Sequence, residues 1–257
     1  MTIRTRRTDG LLAVGGTVLL VAALSGCGGA NAEGAPVEHK SFAFDGKALT
    51  IDADNSSLEL VPADVDRIEV TRRVDGWVVM GSGPDPVWKL EGDKLTLHVK
   101  CQAMISNCEA HHEVKVPKGL PLTVRGDNGK VTAAGFAVPL KISADNGGVE
   151  VRDVSGPLDL QSDNGAIEAQ RVSGTSVIAR ADNGSIALGF TTVPDLVDTV
   201  SDNGRISVTL PAGKNTYAVS AQADNGDVRV DVPRSAGSGH VVKARSDNGE
   251  VTVRSAN

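Results

Sequence analysis

Apolar and polar residues alternate strictly along the second half of the chain, from residue 121 to residue 257. The alternation runs on both sides of a fixed triplet, Asp-Asn-Gly, which occurs seven times in this part of the sequence. A period of two residues is typical of β-strands that bury one face. The residue before each aspartate is always Gly, Ala or Ser, as a tight corner requires. The pattern therefore predicts a repeated unit of strand, turn and strand.

The triplet has the composition of a structural turn. Asp can accept a hydrogen bond from a backbone N–H two residues on, Asn tolerates the left-handed region, and Gly adopts positive φ without steric cost. Successive aspartates are 18, 18, 19, 20, 22 and 23 residues apart, and the added residues all fall in the connection opposite the turn. The predicted turn residues are Asp127, Asn128, Gly129, Asp145, Asn146, Gly147, Asp163, Asn164, Gly165, Asp182, Asn183, Gly184, Asp202, Asn203, Gly204, Asp224, Asn225, Gly226, Asp247, Asn248 and Gly249.

Two architectures are compatible with this unit. In an antiparallel meander each triplet would be a hairpin turn, which Asn-Gly favours. Fourteen such strands would exceed the usual size of an open sheet, and nothing else in the chain could cover their apolar face. A parallel β-solenoid (β-helix) with about 18–23 residues per coil buries that face by itself. We therefore predict an all-β solenoid.

The region upstream, residues 37–120, is predicted to form an irregular β cap and the first imperfect coils, continuous with the array of residues 121–257. A degraded copy of the unit occurs at Asp54-Asn55-Ser56, with apolar residues at the same offsets. Stacked arrays need protected ends. At the other end we expect the last strand, Glu250–Arg254, to be an open edge defended only by its charges.

The N-terminus predicts export. Three arginines precede an apolar stretch from Leu11 to Leu24, and Leu24-Ser25-Gly26-Cys27 follows. This is the layout of a signal peptide over residues 1–26, too short for a comfortable membrane span. The Arg6-Arg7 pair also hints at twin-arginine export. The junction resembles the lipobox of bacterial lipoproteins, which implies lipidation of Cys27, and residues 27–36 read as a flexible tether.

Cys101 and Cys108 remain as an even pair in an oxidising compartment, so a disulfide is expected. The alternative is a metal site formed by both cysteines with His111 and His112. That set lacks paired ligand spacing, and adjacent histidines on a strand point to opposite faces. We predict no metal, and we expect the histidine pair to be a solvated strand start.

Composition limits the partners. The chain has a net charge of −6, and an acidic surface argues against nucleic acid. Aromatic residues make up only 3% of the sequence, so the core has to come from Val, Ile, Leu and Ala.

The lipobox at Leu24–Cys27 and the strand–Asp-Asn-Gly–strand units through Asn257 resemble the bacterial putative-adhesin β-strand-repeat family, whose function is unknown. The resemblance implies an exported or membrane-attached envelope protein, and it carries over no catalytic residue.

The expected function is that of a lipid-anchored, non-enzymatic adhesion or envelope-interaction module on the extracytoplasmic face of the cell membrane. Its partner would be a cell-wall polymer or a surface protein, and no cofactor is expected. One alternative is a β-helical enzyme acting on polysaccharides, with the repeated aspartates as acid and base. Another is a calcium-stabilised scaffold, because stacking would bring aspartates to about 4.8 Å from one another. Any specific contact is expected near residues 211–217 and 233–240, with Tyr217 and Phe190 as surface or capping residues.

Overall fold

The structure, a computed structural model, describes residues 32–256. In this range the chain forms one 3₁₀ turn, Ala32–Gly34, and nineteen β-strands. The predicted signal peptide, Cys27 and residues 28–31 of the predicted tether lie outside the described residues. The strands are β1 (Val37–Ala43), β2 (Leu49–Asp54), β3 (Ser56–Ala63), β4 (Arg67–Glu91), β5 (Lys94–Pro117), β6 (Leu122–Asn128), β7 (Val131–Ala134), β8 (Leu140–Asn146), β9 (Val149–Arg152), β10 (Leu158–Ser162), β11 (Ile167–Val172), β12 (Ser176–Ala181), β13 (Ile186–Phe190), β14 (Leu196–Asn203), β15 (Ile206–Leu210), β16 (Ala218–Asn225), β17 (Val228–Asp231), β18 (Val241–Asn248) and β19 (Val251–Ser255).

The prediction of a parallel solenoid is confirmed. Each triplet joins two strands of one coil, and corresponding strands of neighbouring coils pair in parallel. The register places Leu122, Leu140 and Leu158 beside one another, so each repeat position forms a row along the axis. One stack of strands contains β6, β8, β10, β12 and β14, and the other contains β7, β9, β11, β13 and β15.

The inward rows of the two stacks form a single narrow core. The core positions that the alternation predicts are almost all buried, for example Val124, Ile142 and Leu160, each with no exposed side-chain surface. Burying an aliphatic side chain of this size stabilises the folded state by about 1.5–3 kcal/mol. Thr199 takes one of these apolar positions, and its hydroxyl donates to the backbone oxygen of Lys243 at 3.1 Å. The core is therefore made of small aliphatic layers, as the low aromatic content requires.

The degraded copy at Asp54-Asn55-Ser56 is the first coil. Its strands β2 and β3 pair with β6 and β7, so the chain returns to the stack after an excursion through residues 64–117. The excursion forms the N-terminal cap. Strand β5 pairs with β2 through its start and with β3 through its end, β4 pairs antiparallel with β5, and β1 is the outermost strand beside β4.

The last two coils stack in the reverse of their sequence order. Strand β18 lies between β14 and β16, and β19 lies between β15 and β17. The prediction that Glu250–Arg254 is an open edge is therefore wrong, because β19 pairs on both sides. The open end belongs to β16 and β17, where Val228 is 41% exposed. The connection that leads into the β16–β17 coil and the one that leaves it must each pass the β18–β19 coil. This accounts for their being longer than the other connections between coils.

The predicted tether does not extend to residue 36. Ala32 is 2% exposed, and the turn Ala32–Gly34 packs against β4 and β5 of the cap. The backbone N–H of Ala35 donates to the oxygen of Ala32 at 3.2 Å and closes this turn. The chain is thus held on the cap from residue 32 onward.

Candidate functional site

The triplet turns stack into a column. Their glycines were predicted to serve a positive φ, but the structure gives most of them a different role. Of the seven triplet glycines only Gly129 has a left-handed φ, of 132°. The others are required by the approach of successive coils: a Cβ on Gly147 would lie 2.0 Å from the oxygen of Gly129, and one on Gly184 would lie 2.0 Å from that of Gly165. Contacts this short are impossible for a side chain, so each glycine allows the next coil to close.

The asparagines of the column form a continuous amide ladder. Each side-chain amide except that of Asn128 donates to Oδ1 of the asparagine in the adjacent coil, at 3.0–3.3 Å. None of them takes the left-handed conformation that the sequence predicted. Ladders of this kind add a side-chain bond to each layer of a parallel stack. In spatial order the ladder runs Asn128, Asn146, Asn164, Asn183, Asn203, Asn248 and Asn225.

The aspartates do not cap the turns. Within residues 32–256, no triplet carboxylate accepts a bond from a backbone N–H, and only Asp224 and Asp247 contact a cation, Arg245. Partial burial and the carboxylates of Asp54 and Asp145 raise the pKa of Asp127. The column is thus a line of like charges that repel one another.

The cysteines and histidines do not form a metal site. The structure joins Cys101 to Cys108, with their Cα atoms 6.5 Å apart. His112 is buried and its Nδ1 lies 2.6 Å from Oγ of Ser56, so the expectation of a solvated pair is wrong for this histidine. Burial first, and then the charges of Arg72 and His111, lower the pKa of His112 to about 3. Across the described part of the chain, no three His, Cys, Asp or Glu side chains are placed to hold a metal.

The long connections near the open end enclose a groove of about 500 Å³ beside Tyr217, Arg234 and Lys243. Tyr217 and Phe190 were predicted to be surface or capping residues; Tyr217 is 1% exposed and Phe190 is 6% exposed, so neither is a surface residue. Tyr217 fills the space where the chain crosses the inserted coil, and burial raises the pKa of its hydroxyl. Its hydroxyl has no hydrogen-bond partner among the described residues.

A second groove, of about 280 Å³, runs along the corner opposite the triplets. We call it the proline groove, because Pro121, Pro139 and Pro157 stack along it, one from each of three coils. Their backbone oxygens accept the coil-to-coil bonds that keep this register. Lys141 and Asp159 form an ion pair of 2.7 Å across two coils at its side. Sequence reasoning missed this groove, although a proline six residues before three successive aspartates marks it.

The described residues 32–256 contain no helix with the length and hydropathy of a membrane span.

Residues 99–256 match the model of the Toastrack DUF4097 family. The chain belongs to this family. Among solved structures, it is similar to a putative adhesin from Bacteroides fragilis, with 13% identity and a TM-score of 0.54 over 86% of this chain and 97% of that one. A putative adhesin from Parabacteroides merdae has 16% identity and a TM-score of 0.39, over 88% and 98% of the two chains. No curated protein matches the chain. The family match establishes the Toastrack fold for this chain.

Proposed function

We propose that this Toastrack protein is a non-enzymatic adhesion or envelope-interaction module, anchored by lipid on Cys27 to the outer face of the cell membrane. The anchor is inferred from the lipobox at residues 24–27. The adhesive role is consistent with the name of the Bacteroides fragilis structure, which shares the fold. The solenoid would then serve as a rigid support that presents a regular surface to a cell-wall polymer or to another surface protein.

The proline groove is the observation that supports this role best. Its proline rings and flanking polar groups repeat once per coil, at about 4.8 Å. A surface that repeats along one axis suits a linear partner, such as a glycan strand or an extended peptide. Its apolar floor, made of Pro139, Pro157 and Ile178, supplies area to bury, and the ion pair of Lys141 with Asp159 supplies polar contacts.

The repeated aspartates do not have the arrangement of a catalytic pair. A pair of catalytic carboxylates needs two different environments, so that one is an acid while the other is ionised. Here the triplet carboxylates recur in equivalent turns, one per coil, and among the described residues the only cation that pairs with any of them is Arg245 on β18.

The anchor is tested by metabolic labelling of the full chain with radioactive palmitate in its native host. We expect the membrane fraction to contain labelled protein, and the C27S variant to lose the label and to be released from the membrane. Retention of label in C27S would contradict the anchor.

Binding is tested with the purified protein and cell-envelope fractions. A glutamate at Ile178 places a charge in the proline groove, whereas a glutamate at Ala187 lies on the other face of the same coil. We expect I178E to weaken capture of envelope material at least about tenfold, which corresponds to 1.4 kcal/mol. The matched A187E variant should bind as the parent does. Equal binding by parent, I178E and A187E would remove the groove from the proposal.

A further inference from the structure

The N-terminal cap carries a projecting two-stranded ribbon, formed by residues 76–84 of β4 and 101–108 of β5. Cys101 and Cys108 belong to the same strand, yet their Cα atoms are 6.5 Å apart. Seven residues of extended strand would span about 23 Å. The segment between the cysteines therefore leaves the sheet and returns, and β4 follows it with antiparallel pairing, from Gly76 opposite Cys108 to Ser82 opposite Gln102.

At the base of the ribbon, the disulfide and two glycines bring β4 and β5 into close contact. A Cβ on Gly76 would lie 2.8 Å from Cα of Cys108, and one on Gly83 would lie 3.1 Å from Cα of Cys101. Each half-cystine is thus in close contact with the facing strand. This packing holds the ribbon in a defined position on the cap.

The ribbon exposes large apolar side chains, four of them toward its far end and Trp77 beside its base, where Trp77 lies opposite Asn107. Met104 is 84% exposed, Met80 81%, Ile105 59%, Val79 46% and Trp77 37%. We call these five residues the ribbon tip. Residues 32–256 contain only two other large apolar side chains with comparable exposure, Val37 and Val228. A concentration of exposed apolar side chains marks a surface that contacts another apolar phase.

The ribbon tip also lacks charge. No Asp, Glu, Lys or Arg occurs between Asp75 and Asp85, or between Lys100 and Glu109, although charged residues make up 23% of the chain. Exposed edges and ribbons of soluble proteins usually carry charges that prevent association. An uncharged apolar tip with a tryptophan at its side has the composition of a segment that enters the membrane interface.

The attachment point of the chain lies on the cap, which carries the ribbon. The turn Ala32–Gly34 packs on β4 and β5, the two strands that build the ribbon. Ala32 comes five positions after Cys27, so the chain between them reaches at most about 18 Å. Lipid on Cys27 would therefore hold the cap, rather than the open end at β16 and β17, against the bilayer.

We propose that the ribbon tip inserts into the boundary between headgroups and acyl chains of the membrane that holds Cys27. This inference rests on the proposed lipid anchor. Asp75, Asp85 and Glu109 at the base of the ribbon limit the depth, because ionised carboxylates do not enter the hydrocarbon. The insertion fixes the tilt of the solenoid on the membrane.

The two tryptophans allow a matched test. Trp77 belongs to the ribbon tip, whereas Trp88 is held on the body of the cap under the guanidinium of Arg72, 3.8 Å from its ring centroid. The lipidated full chain is reconstituted into phosphatidylcholine vesicles with brominated acyl chains. In the W88F variant, Trp77 emission should fall by about twofold or more relative to vesicles without bromine, as expected for a side chain at interfacial depth. In the W77F variant, Trp88 emission should not change.

A variant with M80S, M104S and I105S added to W88F should lose the quenching, because it removes the apolar surface without touching the core. Flotation of the chain with vesicles while Trp77 stays unquenched would overturn the insertion and leave the anchor intact. Failure to float at all would overturn both proposals. A Trp77 signal that responds to protein concentration but not to bromine would also overturn the insertion and assign the tip to contact with a second copy.

Discussion

The side-chain amide of Asn248 donates to Oδ1 of Asn203 at 3.0 Å, although 45 residues separate the two in the sequence. Asn225, which comes between them in the chain, lies on the outer side and donates to Oδ1 of Asn248 at 3.0 Å. The final coil of the sequence is therefore the penultimate coil in space. This arrangement buries the C-terminal strand and leaves an earlier coil at the open end.

The coil order predicts which engineered cysteines can pair. Ser207 on β15 lies beside Thr252 on β19, while Arg229 on β17 is one layer further away. Neighbouring coils place Cα atoms within disulfide range, and a two-layer separation of about 9.6 Å does not. We expect the S207C/T252C variant to form a crosslink on mild oxidation, and S207C/R229C to form none, as measured by peptide mass spectrometry. The opposite result would show that the last coils stack in the order of the sequence.

Because the triplet glycines of adjacent coils are in close contact, adding one methyl group to a triplet glycine should strongly destabilise the fold. G184A places its Cβ 2.0 Å from the backbone oxygen of Gly165, so adjacent coils must separate. We expect a loss of about 3 kcal/mol or more in the free energy of unfolding, measured by urea denaturation. G237A is the matched control, since a Cβ there meets nothing within 4 Å. Similar stabilities for the two variants would contradict the proposed role of the column.

The buried imidazole of His112 predicts that stability falls in mild acid. Its pKa in the folded protein is about 3, below the ordinary histidine value of 6.5, so the unfolded chain takes up a proton first as the pH falls. The loss begins near pH 6.5, proceeds at about 1.4 kcal/mol per pH unit from this group, and levels off below pH 3. The H112L variant should lack this component of the slope in urea denaturation between pH 6.5 and 4. H39Q, at an exposed position, should retain it; an unchanged slope in H112L would refute the assignment.

Repulsion along the aspartate column predicts that removing one charge stabilises the fold. The pKa of Asp127 is raised, so the ionised carboxylate is less favourable in the folded state. For the parent, this contribution makes stability increase as the pH falls through the pKa of Asp127 in the folded protein, and it levels off below the ordinary aspartate pKa of 3.8. D127N should be slightly more stable than the parent at pH 7, and the difference should vanish at low pH. Thermal unfolding checks this, with D64N, outside the column, as the control that should show no gain.

Much of the fold was predictable because each repeat is specified by residues that are close together in the sequence. Strict alternation determines which side chains face inward, and the triplet determines where the chain turns. The copy at Asp54-Asn55-Ser56 was recognisable by its offsets alone, even though it joins the stack only after the excursion through residues 64–117. The disulfide between Cys101 and Cys108 was predictable because these two cysteines remain once Cys27 is set aside.

The candidate site was less predictable, because its features depend on neighbours distant in sequence. Asp-Asn-Gly signals a turn in any context, so it could not reveal that the glycines serve close packing or that the asparagines form a ladder. His112 and Tyr217 looked like surface residues, yet the cap and the crossing connection bury them.

The sequence alone determined the unit, its parallel stacking and its aliphatic core, since these depend on period-two alternation and on apolar faces that must be covered. The tertiary structure decided the order of the last coils, the projection of the ribbon and the location of the open end. Near-identical coils present near-identical surfaces to one another, so the sequence of a single coil does not determine which other coil it stacks on. That order depends on long connections and on packing across the whole stack.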